Sequence, residues 1–166
     1  MIRPALTTDV FAIADILCER AKDSRYHGIT APDPKLARQM FAQAVQRHGG
    51  TTEGATFLMV NETDGEIDAF MFGTLNRIYV VGDKLGASDV FLLGKTDCDP
   101  RAMGRLIDAY VRWAEASPKV VEIGLSWADT LPDTETITKD YERRGFTLRA
   151  KTYSREVCHE VQELAA

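Results

Sequence analysis

The segment from Asp89 to Ala116 constrains the fold more than any other part of the sequence. Its first part, Asp89–Lys95, is a nearly all-apolar run that predicts a central strand covered on both faces. A helix is expected to begin at Asp99-Pro100, because an aspartate cap and a proline in the first turn are typical of helix starts. Its apolar residues recur at helical spacing: Met103, Leu106, Ile107, Tyr110 and Ala114. A buried strand that leads directly into an amphipathic helix indicates an α/β protein.

Strand and helix patterns alternate along the rest of the chain. Further helices are expected after the caps Thr7 and Thr8, from Asp33-Pro34 to Gly49-Gly50, and at 134–144. Further strands are expected at 2–6, 56–60, 67–74, 120–127 and 147–157, with a possible extension of the sheet at 78–81. The predicted order is β-α-α-β-β-β-α-β-α-β, a mixed central sheet flanked by helices. Because there is no linker, repeat or low-complexity segment, residues 1–166 are predicted to form a single domain.

Composition and charge narrow the function classes. The chain has 166 residues, a net charge of −5 and three cysteines. Its arginine clusters are short and alternate with acidic residues, which argues against nucleic-acid binding. No apolar run approaches the ~20 residues that a membrane helix needs. An odd number of widely spaced cysteines is typical of a reducing cytoplasm, and the three histidines lack the spacing of metal ligands, so no metal site is expected.

The first candidate site is the junction between the strand and the helix at residues 92–105. A helix N-terminus carries unpaired N–H groups and a partial positive charge, so it can bind phosphate. Ala102 and Gly104 are small enough for an anion to approach the backbone, and Arg101 and Arg105 could add positive charge. The alternative is a plain helix cap, in which the Asp99 carboxylate occupies some of those N–H groups. The sequence leaves both readings open.

The second candidate is Tyr141, in a segment that ends in Gly145-Phe146. A tyrosine with an ordinary pKa near ~10 is protonated at neutral pH, so it can act as a general acid toward a leaving group. The alternative is a core aromatic residue at helical spacing from Ile137.

Together these two features resemble the GNAT family of N-acetyltransferases. The segment Asp99–Gly104 is similar to the family's phosphate loop, Gln/Arg-x-x-Gly-x-Gly/Ala, and Tyr141 with Gly145-Phe146 matches its Tyr-x-x-x-Gly-Phe. The start of the chain, Ile-Arg-Pro-Ala with Asp9 opening the first helix, looks like the family's first strand. The resemblance covers nearly the whole chain in element order, and it implies a GNAT-like fold.

The resemblance also implies a chemistry. It implies an acetyl-CoA-dependent N-acetyltransferase in which a primary amine, on a small molecule or a peptide, attacks the thioester directly. Tyr141 would protonate the departing thiolate. The implied donor-binding residues are Leu92, Leu93, Gly94, Arg101, Ala102, Met103, Gly104, Arg105 and Thr134. Asp99 and Ala102 depart from the family's loop, so the alternative is a catalytically degenerate binding or structural protein with the same fold.

Several features stay open at this stage. Asp89 and Asp68 lie on candidate strands and either could serve as a general base. Trp127 and the loop at Tyr26-His27 could contact the acceptor, and the last strand could pair across a homodimer. A binding module outside the GNAT fold would be favoured if strands 89–95 and 120–127 did not splay apart.

Overall fold

A computed structural model describes residues 1–126, 134–150 and 152. The strands are β1 (Ile2–Pro4), β2 (Thr56–Thr63), β3 (Glu66–Arg77), β4 (Leu85–Gly94) and β5 (Val120–Gly124). The helices are α1 (Val10–Arg20), α2 (Pro34–Gln46), α3 (Pro100–Glu115) and α4 (Thr134–Arg143). The chain divides into two compact units, Met1–Pro132 and Asp133–Ala166. The single domain over residues 1–166 stays a prediction.

One five-stranded sheet organises the first unit, in the order β1-β2-β3-β4-β5. The first three pairings are antiparallel, and β4 pairs with β5 in parallel. A parallel pair needs a crossover connection, and α3 supplies it. The mixed sheet flanked by helices is therefore confirmed.

The two connections between the antiparallel strands differ in how well the sequence predicted them. The strands expected at 56–60 and 67–74 leave a connection at 61–66; the turn itself is confined to Asp64 and Gly65, with φ of 52° and 84°, values typical of a two-residue hairpin turn. The expected strand at 78–81 is wrong. There the chain turns, with Tyr79 and Val80 at φ of 56° and 68° and both side chains exposed. β-branched residues favour strands in general, but this segment lies beyond the end of β3, and among the described residues no strand pairs with it.

The larger core lies between the sheet and the pair α1 and α2. Phe41 of α2 is fully buried, and its ring meets those of Phe70, Phe72 and Phe91 at centroid distances of 5.4, 6.0 and 6.4 Å. Edge-to-face contacts of this kind add to the free energy gained by burying apolar area. Phe70, Phe72 and Phe91 come from β3 and β4, so this core fixes which face of each strand looks toward α1 and α2.

Helix α3 covers the opposite face. Tyr110 is fully buried, and a Cβ added to Gly73 of β3 would lie 2.6 Å from its ring. Only glycine at position 73 therefore allows this close approach. Trp113 packs on Phe57 and Tyr110 and donates from Nε1 to the Gly50 carbonyl at 3.0 Å, so its indole joins α3 to the sheet.

The first helix begins differently from the prediction. Thr7 and Thr8 were expected as caps, but Thr7–Asp9 form a short 3-10 turn before α1. The Asp9 carboxylate accepts hydrogen bonds from the Leu6 N–H at 2.8 Å and from Arg3 at 2.6 Å. Burial raises the pKa of Asp9, but the hydrogen bonds from Arg3 and Leu6 and the Arg3 charge outweigh that effect and hold it below its ordinary value. A partly buried ion pair therefore fixes the start of α1.

Strand β5 is shorter and more exposed than predicted. A buried strand was expected over 120–127, but β5 ends at Gly124, and Val121 is 61% exposed. Within the part of the chain that the structure describes, β5 pairs on one side only. A mostly apolar run such as Val120–Ile123, which includes Glu122, does not by itself distinguish a central strand from one with a single neighbour.

The second unit contains α4. The helix ends as predicted before Gly145, whose φ of 86° is typical of a residue that ends a helix in the left-handed conformation. The Phe146 N–H donates to the Tyr141 carbonyl at 3.0 Å, and the two rings lie 6.1 Å apart. The strand expected at 147–157 is not seen at 147–150 or 152, and its other residues lie outside the described ones. Among described residues, no helix is long and apolar enough to cross a membrane.

The surroundings of the half-buried His48 indicate that the free energy of unfolding depends on pH. Burial lowers the pKa of His48, and its Nδ1 accepts the Leu58 N–H at 2.9 Å, which requires the neutral ring. The unfolded chain then binds more protons below the ordinary histidine pKa. The contribution of neutral His48 to the free energy of unfolding is therefore complete above about pH 6.5. It is lost as the pH falls toward the lowered pKa that His48 has in the folded state.

We expect the free energy of unfolding to fall between pH 7.5 and 5, by up to about 1.4 kcal/mol per pH unit for this one proton. Urea denaturation at several pH values measures it. His48→Gln should flatten the pH dependence, while His27→Gln, at an exposed loop position, should leave it unchanged. An equal slope in the wild type and in His48→Gln would contradict the assignment.

Candidate functional site

The candidate site lies where β4 and β5 separate. The two strands pair from Leu85 with Val120 to Ser88 with Gly124, and the described ladder then stops. Strand β4 continues to Gly94 with β3 as its described neighbour. Leu125 and Ser126 lie outside any strand, and among the described residues no strand pairs with this edge of β4 over Asp89–Gly94. The described ladder therefore ends at Ser88 and Gly124, and the splaying of the two strands beyond that point stays a prediction.

A bulge in β4 and the register after it determine which groups face this open edge. Phe72 pairs with Phe91 and Gly73 with Asp89, so Val90 is the extra residue of a bulge. Beyond it, the Lys95 N–H donates to the Asp68 carbonyl of β3 at 2.7 Å. Backbone groups alternate in direction along an antiparallel strand. The N–H and C=O groups of Leu92 and Gly94 therefore point away from β3, into the gap.

Leu93 differs from its two neighbours. The same alternation directs its backbone groups toward β3, and its side chain packs against the core under α1 and α2. Of the three strand residues that the family resemblance implies, Leu92 and Gly94 thus present backbone hydrogen-bonding groups to the open edge. Leu93 lies beside the site as part of its support. A role of these residues in donor binding stays a prediction.

Asp89 lies at the point where the strands separate. Its Oδ1 accepts hydrogen bonds from the Ser126 N–H at 3.0 Å and the Ser126 hydroxyl at 2.9 Å. The side chain is half-buried, and burial raises the pKa of Asp89 above its ordinary value even though the Ser126 hydrogen bonds act in the opposite direction. A carboxylate destabilised by burial holds a proton more readily than an exposed one, which suits a general base.

Tyr110 approaches the same region from α3. Its hydroxyl donates to the Gly124 carbonyl, the last residue of β5, at 3.2 Å. Burial and the nearby Asp89 charge raise the pKa of Tyr110, so its hydroxyl keeps its proton. Tyr110 therefore acts here as a fixed hydrogen-bond donor that holds the end of β5.

The structure distinguishes the two aspartates that the sequence left open. The Asp68 carboxylate accepts from the Asn61 amide and the Thr63 hydroxyl, both at 2.7 Å, next to the β2–β3 turn. Asp89 lies instead at the fork, which is the place where the pairing of β4 with β5 ends after Ser88 and Gly124. The roles of Ser126 and Tyr110 were missed. A helical spacing places Tyr110 in the core and reveals nothing about its hydroxyl, and Ser126 meets Asp89 only through the parallel pairing.

The first turn of α3 is capped by its own aspartate. Asp99 Oδ1 accepts the Arg101 N–H at 2.9 Å, and the Arg105 guanidinium lies 3.6 Å from the other carboxylate oxygen. Ala102 is fully buried, Met103 and Gly104 are partly buried, and Arg101 and Arg105 are exposed. The capping hydrogen bond that the sequence allowed is therefore present, and a role of this junction in donor binding stays a prediction.

The loop before α3 adds further negative charge. Burial raises the pKa of the Cys98 thiol, and the charges of Asp68, Asp97 and Asp99 raise it further, against the opposing charge of Arg20. The thiol also lies against Gly94, since a Cβ added there would lie 2.5 Å from Sγ. The carboxylates of Asp68, Asp97 and Asp99 therefore place negative charge around Cys98, which lies next to the end of β4.

Tyr141 and Thr134 belong to the second unit, Asp133–Ala166. Tyr141 is half-buried against Phe146, and Thr134 is the first residue of α4. Tyr26 and His27 lie in an exposed loop. Trp127 lies outside the described residues.

Comparison with known proteins gives the fold. No family model and no curated protein matches this chain. Among solved structures, a transcriptional regulator from Bacillus halodurans C-125 is 15% identical with a TM-score of 0.69, over 95% of this chain and 99% of that one. A ribosomal-protein-alanine N-acetyltransferase from Brucella melitensis biovar Abortus 2308 is 17% identical with a TM-score of 0.65, over 95% and 99% of the two chains.

An aminoglycoside acetyltransferase from an uncultured soil metagenomic sample is 13% identical with a TM-score of 0.64, over 95% of this chain and 98% of that one. These similarities extend over nearly the whole of each chain, so the chain has the GNAT fold, as its sequence predicted. At such identities the likeness establishes the architecture alone.

The donor that this fold implies, acetyl-CoA, has two parts that can be tested against these residues. The open edge of β4 presents the N–H and C=O groups of Leu92 and Gly94, which suit the amide-rich pantetheine arm. The first turn of α3 does not suit a diphosphate as it stands, because the Asp99 carboxylate already accepts its Arg101 N–H. The site therefore fits the acyl-pantetheine part and disagrees with the diphosphate part.

The hydrogen bonds at Asp89 give a direct test. Because hydrogen bonds to the charged form lower a carboxyl pKa, Ser126→Ala should raise the pKa of Asp89 further. Carbon-detected NMR of the aspartate carboxyl groups over a pH series measures it. Ser88→Ala, at an exposed neighbouring serine of β4, should leave this pKa unchanged. A fall in the Asp89 pKa of Ser126→Ala would contradict the geometry.

Proposed function

We propose that this protein is an N-acetyltransferase that transfers an acetyl group from acetyl-CoA to a primary amine by direct attack. The observation that carries the proposal is the fork between β4 and β5, with the Asp89 carboxylate at its vertex and an open backbone edge beside it. Acetyl-CoA would supply the thioester carbonyl that the amine attacks. The fold of the neighbouring acetyltransferases supports the same class of reaction.

The residues of the fork can perform two tasks in such a reaction. An amine is protonated near neutral pH, and Asp89 would accept a proton from the ammonium directly or through a water molecule. The N–H groups of Leu92 and Gly94 face the gap, so they would orient and polarise a carbonyl placed along the edge. Tyr110 and Ser126 would act as positioning residues, because they hold the end of β5 and the Asp89 carboxylate.

Tyr141 would supply the proton that the leaving sulfur needs. This role rests on its match to the family's Tyr-x-x-x-Gly-Phe, because a tyrosine hydroxyl can act as a general acid toward a leaving group. The acceptor is proposed only as a primary amine, on a small molecule or a peptide. A cytoplasmic location, a single domain over residues 1–166 and a homodimer stay predictions.

A second candidate function is a binding or structural protein that kept the fold and lost catalysis. The observation that favours it is the Asp99 cap, which fills a position where the family's loop holds phosphate. This candidate predicts normal folding with no transfer to any amine, and Tyr141→Phe would then have no effect on any measurable property of the site.

The first experiment measures acetyl transfer from acetyl-CoA to a panel of small amines and peptide N-termini, by release of free thiol. We expect turnover with at least one acceptor, and a fall of about 10²- to 10⁴-fold in kcat/KM for Asp89→Asn, because a general base contributes on this scale. Asp68→Asn makes the same charge change on the neighbouring strand and should keep kcat/KM within about threefold. No thermal shift and no heat with millimolar acetyl-CoA would contradict the proposed function.

The second experiment addresses Tyr141. Tyr141→Phe removes the hydroxyl and keeps the ring that packs on Phe146. We expect kcat to fall by about 10²-fold while acetyl-CoA binding measured by calorimetry is unchanged, since the hydroxyl would act only on the departing sulfur. An unchanged kcat in a folded Tyr141→Phe protein would remove Tyr141 from the mechanism.

A further inference from the structure

We propose that Asp99 is a built-in occupant of the anion position at the N-terminus of α3, so that this protein holds its acyl donor by the pantetheine arm and not by the diphosphate. The inference rests on the proposed function and deepens it. It follows from the disagreement between this helix start and the ligand that the fold implies.

The first argument is the use of the backbone donors in the first turn. Pro100 has no N–H group to offer. The Arg101 N–H donates to the Asp99 carboxylate at 2.9 Å, and the Ala102 N–H donates to the Asp99 carbonyl at 2.8 Å. Over Pro100–Ala102, the described donors that an anion would use are therefore already engaged by the residue before the helix.

The second argument comes from the same sequence elsewhere in the chain. Helix α2 also begins with Asp-Pro, and there the Asp33 carboxylate accepts the Lys35 and Leu36 N–H groups at 2.7 and 3.3 Å. Both are stable N-caps with proline in the first turn. The chain thus uses one local solution for both helix starts, which explains Asp99 as a cap without any ligand.

The third argument is charge. The Arg105 guanidinium lies 3.6 Å from the Asp99 carboxylate and is already paired with it. Two other cations around the loop are also paired, Lys95 with Glu66 at 3.2 Å and Arg20 with Asp23 at 2.9 Å. A diphosphate placed at this helix start would meet the Asp99 charge at close range, with only the exposed Arg101 on the first turn to offset it.

The open edge of β4 is unaffected by this cap. The groups of Leu92 and Gly94 that face the gap lie on the strand, before the loop that carries Asp97 and Asp99. The pantetheine arm, which has amide groups and no charge, can pair with such an edge. The two parts of the donor should therefore contribute very unequally to binding.

The test compares the binding of coenzyme A and of pantetheine, which lacks all phosphates, by isothermal calorimetry. For the wild type we expect dissociation constants that agree within about threefold. Asp99→Asn keeps an oxygen that can cap the Arg101 N–H and removes the charge. We expect it to tighten coenzyme A binding by about tenfold and to leave pantetheine binding unchanged.

Matched variants separate this effect from a general change in charge or stability. Asp33→Asn makes the same substitution in the same Asp-Pro context on α2, and it should change neither dissociation constant. Asp99→Ser, a second neutral cap, should reproduce Asp99→Asn if the charge is the cause. Thermal unfolding of each variant establishes that it is folded before binding is compared.

The outcomes distinguish this inference from the proposed function. If the wild type binds coenzyme A more than about tenfold more tightly than pantetheine, the inference is overturned while the proposed function stands. If both neutral variants bind coenzyme A no more tightly than the wild type, the inference is also overturned. If the wild type and both variants bind neither compound, the proposed function fails as well, and the inference fails with it.

Discussion

The separation of β4 from β5 is the constraint on which the rest of the site depends. The parallel ladder ends at Ser88 and Gly124, and the bulge at Val90 changes the register of β4 just beyond that point. Three hydrogen bonds hold the end of the fork, from the Ser126 N–H and hydroxyl to Asp89 and from the Tyr110 hydroxyl to Gly124. Without this separation, the edge of β4 would be paired with a strand and could not accept a ligand.

Residues that pack on both faces of the sheet support this fork. On one face, Phe41 packs among aromatic residues of β3 and β4 and fixes their orientation. On the other face, Tyr110 lies close to Gly73, so α3 approaches the sheet closely enough for the tyrosine hydroxyl to reach β5. A small residue in β3 therefore has a direct consequence for the geometry of the proposed active site.

The start of α3 shows how local and functional demands compete. Asp-Pro is a good helix start wherever it occurs, as α2 demonstrates with Asp33. At α3 the same capping carboxylate occupies the position where an anionic ligand would gain most from the helix dipole. The fold thus keeps the architecture of its acetyltransferase neighbours, while the residues at the start of α3 differ from the family's loop pattern.

Sequence alone determined the features that depend on near neighbours along the chain. Asp33-Pro34 and Asp99-Pro100 begin helices, Gly145 ends one, and Asp64-Gly65 makes a hairpin turn, because capping and turn conformations are set within a few residues. The expected strand at 78–81 failed because a strand needs a partner. Only the tertiary structure decided that Asp89 and not Asp68 lies at the fork, and that Ser126 and Tyr110 support it. These relations join residues far apart in sequence, and the register, the bulge and the packing of α3 determine them.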